Sequence, residues 1–295
     1  MIRNPTWFAF PKYMTTRRSF LIKTGVVAAL AGSKPVTAFA NAPKPAPSAA
    51  DDRFKLAIAG YSFLKFKLEP ALEIMKQLDV NYLCIKDFHL PFASTPEQIA
   101  AFHEQLKQAN VTGYGVGPIY MKTREAIDNA FDYAKRAGVN LLVGIPNVAD
   151  LPYIEQKVKE YNIRYAIHNH GPDIDLFPNA KSVYDAVKNL DKRMGLCFDI
   201  GHDRRYGDDP VADLKKYHDR IFDIHLKNVT AAAKEGKTTQ LSRGIINIPA
   251  FISMLRTVKY DGHCALEYEK DMDTPLAGLA ESVGYFRGVS DATRA

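Results

Sequence analysis

Four stretches of this 295-residue chain end on ionisable residues held in the same alternating phase. In "RYAIHNHG", His168 and His170 lie on one side of an extended chain, because strand side chains alternate with a period of two. In "MGLCFDIGH", Cys197, Asp199 and Gly201 alternate with Leu196, Phe198 and Ile200. In "IFDIHLKN", Asp223, His225 and Lys227 alternate with Phe222, Ile224 and Leu226, and in "HCALEYEK", Ala265, Glu267 and Glu269 alternate with Cys264, Leu266 and Tyr268. Burying His168, Asp199, His225 and Glu267 together without partners would cost several kcal/mol per charge. One divalent cation bound by all four removes that cost. Two imidazoles and two carboxylates suit Mn²⁺, Zn²⁺ or Co²⁺ without choosing among them. A metal-free salt-bridge network is the other arrangement these residues allow.

Such a ring needs elements that bring four strand ends together. From Phe54 onward, eight apolar runs alternate with amphipathic helical patterns: "FKLAIAGYSF", "NYLCIKDFHL", "VTGYGVGPIY", "NLLVGIPN", "IRYAIHNHG", "RMGLCFDIGH", "IFDIHLKN" and "HCALEYEK". That is the rhythm of βα units. Helix starts are marked by Thr95, Pro96 and Gln98 in "STPEQIAAF", and the same device is expected at Thr274 and Pro275 in "DTPLAGLAESVGYF". In "TREAIDNAFDYAKRAG", Ile127, Ala130, Phe131 and Ala134 form one apolar stripe and Gly138 ends the helix. The pattern predicts an α/β fold, a single (β/α)8 TIM barrel over residues 54–295. A doubly wound open sheet is the alternative, but "AGYSFLKFKLEP" after the first strand has no glycine-rich phosphate turn. Barrel strands are apolar on the helix side, so the polar phase must face the axis near the C-terminal, active-site end.

Residues 1–40 carry a different message. Arg17 and Arg18 precede Phe20, Leu21 and Lys23, a mildly apolar run follows, and Ala38-Phe39-Ala40 supplies a small-residue cleavage site. This is the pattern of a Tat-type (twin-arginine) signal peptide, too short and too charged for a membrane anchor, and it places the mature protein in the periplasm, off the membrane. Met14, just before the motif, offers a second start. Residues 41–53 read as a Pro/Ala linker. Six of the 39 basic residues and none of the 33 acidic ones fall within residues 1–40, so the remainder is balanced. Bulk charge therefore gives no reason to expect nucleic acid as a partner. Cys84, Cys197 and Cys264 sit in apolar strand runs and read as buried thiols, not a disulfide framework.

The set "CFDIGH", "DIHLKN" and "LEYE" resembles the xylose isomerase-like barrels, and more closely their exported sugar phosphate isomerase/epimerase branch, over Phe54 to about Val289. The resemblance implies metal-ligand roles for Asp199, His225 and Glu267, and a sugar contact for His202. Many isomerases and epimerases of that family carry a fifth-strand glutamate that both binds metal and moves a proton; this chain has His168 there. The metal site survives that change, whereas a two-glutamate proton relay does not. Lys86, His170 and His202 are then the candidate proton carriers alongside Glu267, and Glu269 is a further one. Lys227, Glu269, His89 and Arg243 are expected at the substrate, the last from the long segment "NVTAAAKEGKTTQLSRGIINIP". His103, His218 and His263 read as structural.

With the inward ring, the resemblance implies a metal-dependent enzyme that enolises a small carbohydrate next to a carbonyl. Reprotonation makes it an isomerase or epimerase. Loss of a β-substituent makes it a lyase, for example on a 3-keto-glycoside. A non-catalytic sugar-binding barrel and a relative of the metal-dependent endonucleases are the readings from other classes; balanced charge, export and missing extra ligands argue against the last.

Overall fold

The computed structural model describes residues 52–294. The expected leader (residues 1–40) and most of the expected linker (residues 41–51) lie outside the described residues. Eight parallel strands close into one barrel. Its first half is β1 (Lys55–Ala59), β2 (Tyr82–Ile85), β3 (Thr112–Met121) and β4 (Leu141–Pro146). The second half is β5 (Arg164–His168), β6 (Met194–Asp199), β7 (Ile221–Leu226) and β10 (His263–Leu266). Pairing of Leu56 with Cys264 joins the first strand to the last, which an open sheet cannot do. Two short strands, β8 (Asn228–Val229) and β9 (Thr238–Thr239), form a hairpin inside the long segment after β7.

Around the strands run α1 (Leu68–Gln77), α2 (Pro96–Gln108), α3 (Arg124–Arg136), α4 (Leu151–Tyr161) and α5 (Ala180–Val187). They are followed by α6 (Ile200–Tyr206), α7 (Pro210–Tyr217), α8 (Ile248–Thr257) and α9 (Leu276–Ala292). Thr95 and Gln98 make the expected capping box on α2, and the expected stripe of α3 is fully buried. At α9 the expectation fails. Thr274 makes no side-chain cap; its N–H donates to Asp271 O in a preceding turn, and Pro275, itself in helical geometry, occupies the cap position. Among the described residues no helix is long and apolar enough to cross a membrane.

Helices bury their apolar faces against the outside of the barrel, while its interior holds Ala57, Ala59 and Ala265 in one cluster and Cys84, Leu141, Val143, Ala166 and Cys197 in another, with Tyr114 packed against both. All three cysteines are free and buried, as expected. At the start of the described chain, Asp52 accepts from Arg256 Nε (2.6 Å), Arg294 (3.2 Å) and Ser290 Oγ (2.6 Å), fastening the entry into β1 to α8 and α9.

Candidate active site

Register brings the four strand ends together. Asp199 pairs with His225, His225 with Ala265, and His168 with Cys197, so the inward residues one step further up the strands converge. Asp199 also begins a helix: its Oδ1 accepts the His202 N–H (2.7 Å) as the N-cap of α6. That leaves Oδ2 for the axis. Asn169 locks this turn, donating from Nδ2 to Asp199 O and accepting the Asp199 N–H, both at 2.9 Å. In the sequence Asn169 is an outward residue between two histidines, with nothing to signal that role.

One nitrogen or oxygen each from His168, Asp199, His225 and Glu267 lies within 4.8 Å of the others, and all four residues are buried. His168 Nε2 faces His225 Nδ1 at 3.0 Å, and His225 Nδ1 lies 3.2 Å from Glu267 Oε2. Asp199 Oδ2 is buried, with the Lys227 ammonium 3.1 Å away and His168 Nε2 at 3.6 Å. Two inward imidazole nitrogens and two carboxylates, all buried and within one ion's reach of one another, make a donor set that fits one divalent ion. Burial pushes the His168 imidazole down to about 4, so it is neutral near pH 7, as a ligand must be.

Lys227 departs from its expected place at the substrate. It is buried, with Nζ 3.1 Å from Asp199, 2.9 Å from Glu267 and 3.1 Å from Glu269. Burial works against its charge, but these three carboxylates outweigh it and hold the ammonium protonated. Its stem reaches this depth because residue 201 is a glycine; a Cβ there would stand 2.7 Å from Lys227 Cγ. Lys227 therefore neutralises the ring and, with its Nζ also 3.3 Å from His202 Nε2, does not itself line the cavity.

That cavity, open to solvent and about 700 Å³, is lined by Tyr61, Lys86, Pro118, Tyr120 and Ile145 from the first half of the barrel. The second half contributes His168, His170, His202, Glu267 and Glu269. His170 and His202 stack with ring centroids 5.6 Å apart and 27° between planes. Burial, with His168 beside it, lowers His170 to about 3; burial and the Lys227 charge hold His202 well below the usual imidazole range. Both are neutral bases at pH 7. Arg205 donates to His202 Nδ1 (3.4 Å) and pairs with Asp173, fixing the ring from outside. Burial raises Glu269, with Lys227 opposing. Lys86 pairs with Asp87 at the rim.

Three further expectations change. His89 does not line this cavity: its Nε2 is tied to Phe66 O at 2.9 Å. Arg243 makes a two-pronged pair with Glu281 (2.7 and 2.6 Å) on the exposed surface. The long segment after β7 buttresses the site without lining it, through Thr238 on Glu269 (3.5 Å) and Lys234 O on Arg205. His103, His218 and His263 are structural as expected; His263 stacks on Tyr114 (3.7 Å, 14°) and the other two bond to backbone carbonyls. Tyr61, Pro118, Tyr120 and Ile145 escaped the sequence reading, because an aromatic or aliphatic residue near a strand end looks like core.

Fold and site together define a closed parallel barrel with a metal-competent ring at the active-site end. The chain belongs to the xylose isomerase-like TIM barrel family, whose model matches residues 67–289. An inosose dehydratase of Mesomycoplasma hyopneumoniae is 28% identical over 150 residues, covering 44% of this chain and 49% of that protein. The chain thus spans about half the length of the curated relatives it matches. An uncharacterized protein from Parabacteroides distasonis matches with a TM-score of 0.63 and 25% identity, covering 80% of this chain and 99% of that one. The IolI protein, crystallised with a zinc atom, has the same fold (TM-score 0.62, 15% identity, 82% of this chain and 98% of that one).

Proposed function

We propose that this protein is a metal-dependent carbon–oxygen lyase that acts on a carbohydrate ketone. The observation that carries the reading is the placement of two neutral imidazoles, His170 and His202, on one wall of a cavity whose floor is the His168–Asp199–His225–Glu267 ring. Those four residues would hold one Mn, Zn or Co ion, and the zinc of IolI favours zinc. Such an ion, when bound, polarises the carbonyl and acidifies the neighbouring C–H.

The rest falls to the chain's own groups. His170 takes the proton from the carbon beside the carbonyl. The imidazolium then hands that proton to the oxygen on the next carbon as that C–O bond breaks and a C=C bond forms. Water leaves if the substituent is a hydroxyl, an alcohol if it is a glycosidic oxygen. His202, Lys86 and Glu269 orient the remaining hydroxyls. Elimination from one face needs one wall of bases. Epimerisation needs proton carriers on both faces of one carbon, and the fifth strand supplies an imidazole where a second carboxylate would serve. The inosose dehydratase relatives support the same choice.

The test is a panel of keto-cyclitols, 3-keto-glycosides and free ketoses in D2O with metal-loaded protein. An enone product with release of water or aglycone supports the lyase. Deuterium entering recovered ketose with no elimination makes the protein an isomerase or epimerase. Binding without exchange leaves a sugar-binding barrel. We also propose that residues 1–40 direct export to the periplasm; a precursor still exported after Arg17→Lys with Arg18→Lys would refute that.

A further inference from the structure

A second cavity adjoins the first. About 770 Å³ and open to solvent, it lies between the end of β3 and the first turns of α3, lined by Phe92, Pro118, Ile119, Tyr120, Ala126 and Asn129. Lys86, Pro118 and Tyr120 line both cavities, so the two form one branched space. Tyr120 is 57% exposed, and its ring centroid stands 6.2 Å from that of His170. The Lys122 ammonium lies 5.9 Å from the Tyr120 centroid, and the remaining exposed aromatic surface beside a base is one that a ligand ring covers with gain. Lys86, the one cation on the shared border, is already paired with Asp87, so the branch offers no net charge for a phosphate or carboxylate. The surface around the mouth points the same way. Among the described residues, the exposed large apolar side chains Leu64, Phe88, Tyr120, Val148 and Ile245 fall at the C-terminal end of a barrel strand or in the segment after it, and Tyr206 and Leu276 lie at helix ends.

We infer that the substrate is a keto-glycoside with a neutral, apolar aglycone, which occupies this side cavity while the sugar ring lies over the metal-binding ring. The inference rests on the lyase reading above and narrows its substrate class. The C–H bond beside the ketone and the bond from sugar carbon to glycosidic oxygen both break, a C=C bond forms, and the departing alcohol or phenol keeps the transferred proton. No oxidant or reductant is needed. A keto-cyclitol has nothing to place in the branch.

Calorimetry with metal-loaded protein and two unreactive ligands, phenyl and methyl β-glucoside, separates the subsite from the chemistry. The expected result is phenyl binding about tenfold tighter than methyl. Ala126→Trp, which fills the branch from the first turn of α3, brings that ratio to about one. Asn129→Trp, one turn further on, does the same and guards against a single misfolded variant. Equal affinities in the wild type, or a ratio that survives both variants, overturn the inference. So does a change of oligomeric state in both variants with the ratio intact, which would give the surface to a second copy. Turnover of the matching 3-keto-glycosides is scored separately. A phenyl preference in binding with no elimination from either substrate leaves the subsite standing and removes the lyase reading. Elimination at equal rates with equal affinities does the reverse.

Discussion

The two halves of the barrel do different work with the same backbone. Strands β5, β6, β7 and β10 each carry an inward ionisable group at or next to their C-terminal ends, whereas β1 to β4 and the residues just after them present Tyr61, Pro118, Tyr120 and Ile145 to the cavity, with Lys86 the one charged group. One half concentrates charge that would be ruinous unless compensated, and Lys227 compensates it. The other half has shape and apolar surface but little charge. In an eight-fold repeat any strand could carry either load. Keeping the ligands on adjacent strands puts them within one ion's reach, since neighbouring strands lie about 4.8 Å apart. The opposite wall is then free to vary with the substrate.

The largest effect should come from breaking the charged half at its centre. His225→Ala is expected to lose the metal equivalent and to cut activity about 10⁴-fold or more, read by elemental analysis beside turnover. His168→Ala should lose or weaken metal too; retained metal there would make His168 a substrate or proton residue. Next comes Lys227→Met, which leaves three carboxylates facing one another. In metal-free protein it should lower stability by roughly 3–5 kcal/mol in urea unfolding. A divalent ion should restore part of that, and a stability unchanged by the substitution would deny the compensating role.

Acid should separate the halves further. His168 and His170 are held at about 4 and about 3, below the imidazole value of 6.5 kept in the unfolded chain. Between pH 6.5 and about 4 the unfolded chain takes up protons that these folded imidazoles refuse. The stability these two imidazoles contribute in the metal-free protein is therefore full above pH 6.5 and falls as pH drops through that window, by up to about 1.4 kcal/mol per pH unit for each group. His170→Asn should flatten the slope. Ile145→Val, on the other wall, should cost about 1 kcal/mol at every pH and leave the slope and the metal untouched. The smallest effect is expected at Arg243. Although it follows β7, its exposed pair with Glu281 should be worth no more than about 1 kcal/mol, and Arg243→Ala should not change turnover.

The charged half was legible in advance because it is written in a local code. A period of two places Asp199, His225 and Glu267 on one face without any knowledge of the partner strands. The apolar wall had no such code: Tyr120 and Ile145 have the residue types of core, and only the curvature of the closed barrel turns them toward a cavity. Lys227 shows the limit of the local rule from the other side. Its phase was right and its depth was not, because depth depends on the space that Gly201 leaves. Arg243 was misplaced because a basic residue in a long segment looks the same whether it meets a ligand or Glu281. Thr274 was misread because a threonine before a proline serves a cap and a turn equally well.

Strand period, helix signals and the spacing of βα units are properties of neighbouring residues, so the sequence by itself determined the barrel, its inward ring and the family resemblance. Which side chains border empty space, which charge neutralises which, and that a second cavity opens beside the first were decided only by tertiary structure. Those facts depend on distances between residues far apart in the chain, and no local pattern encodes them.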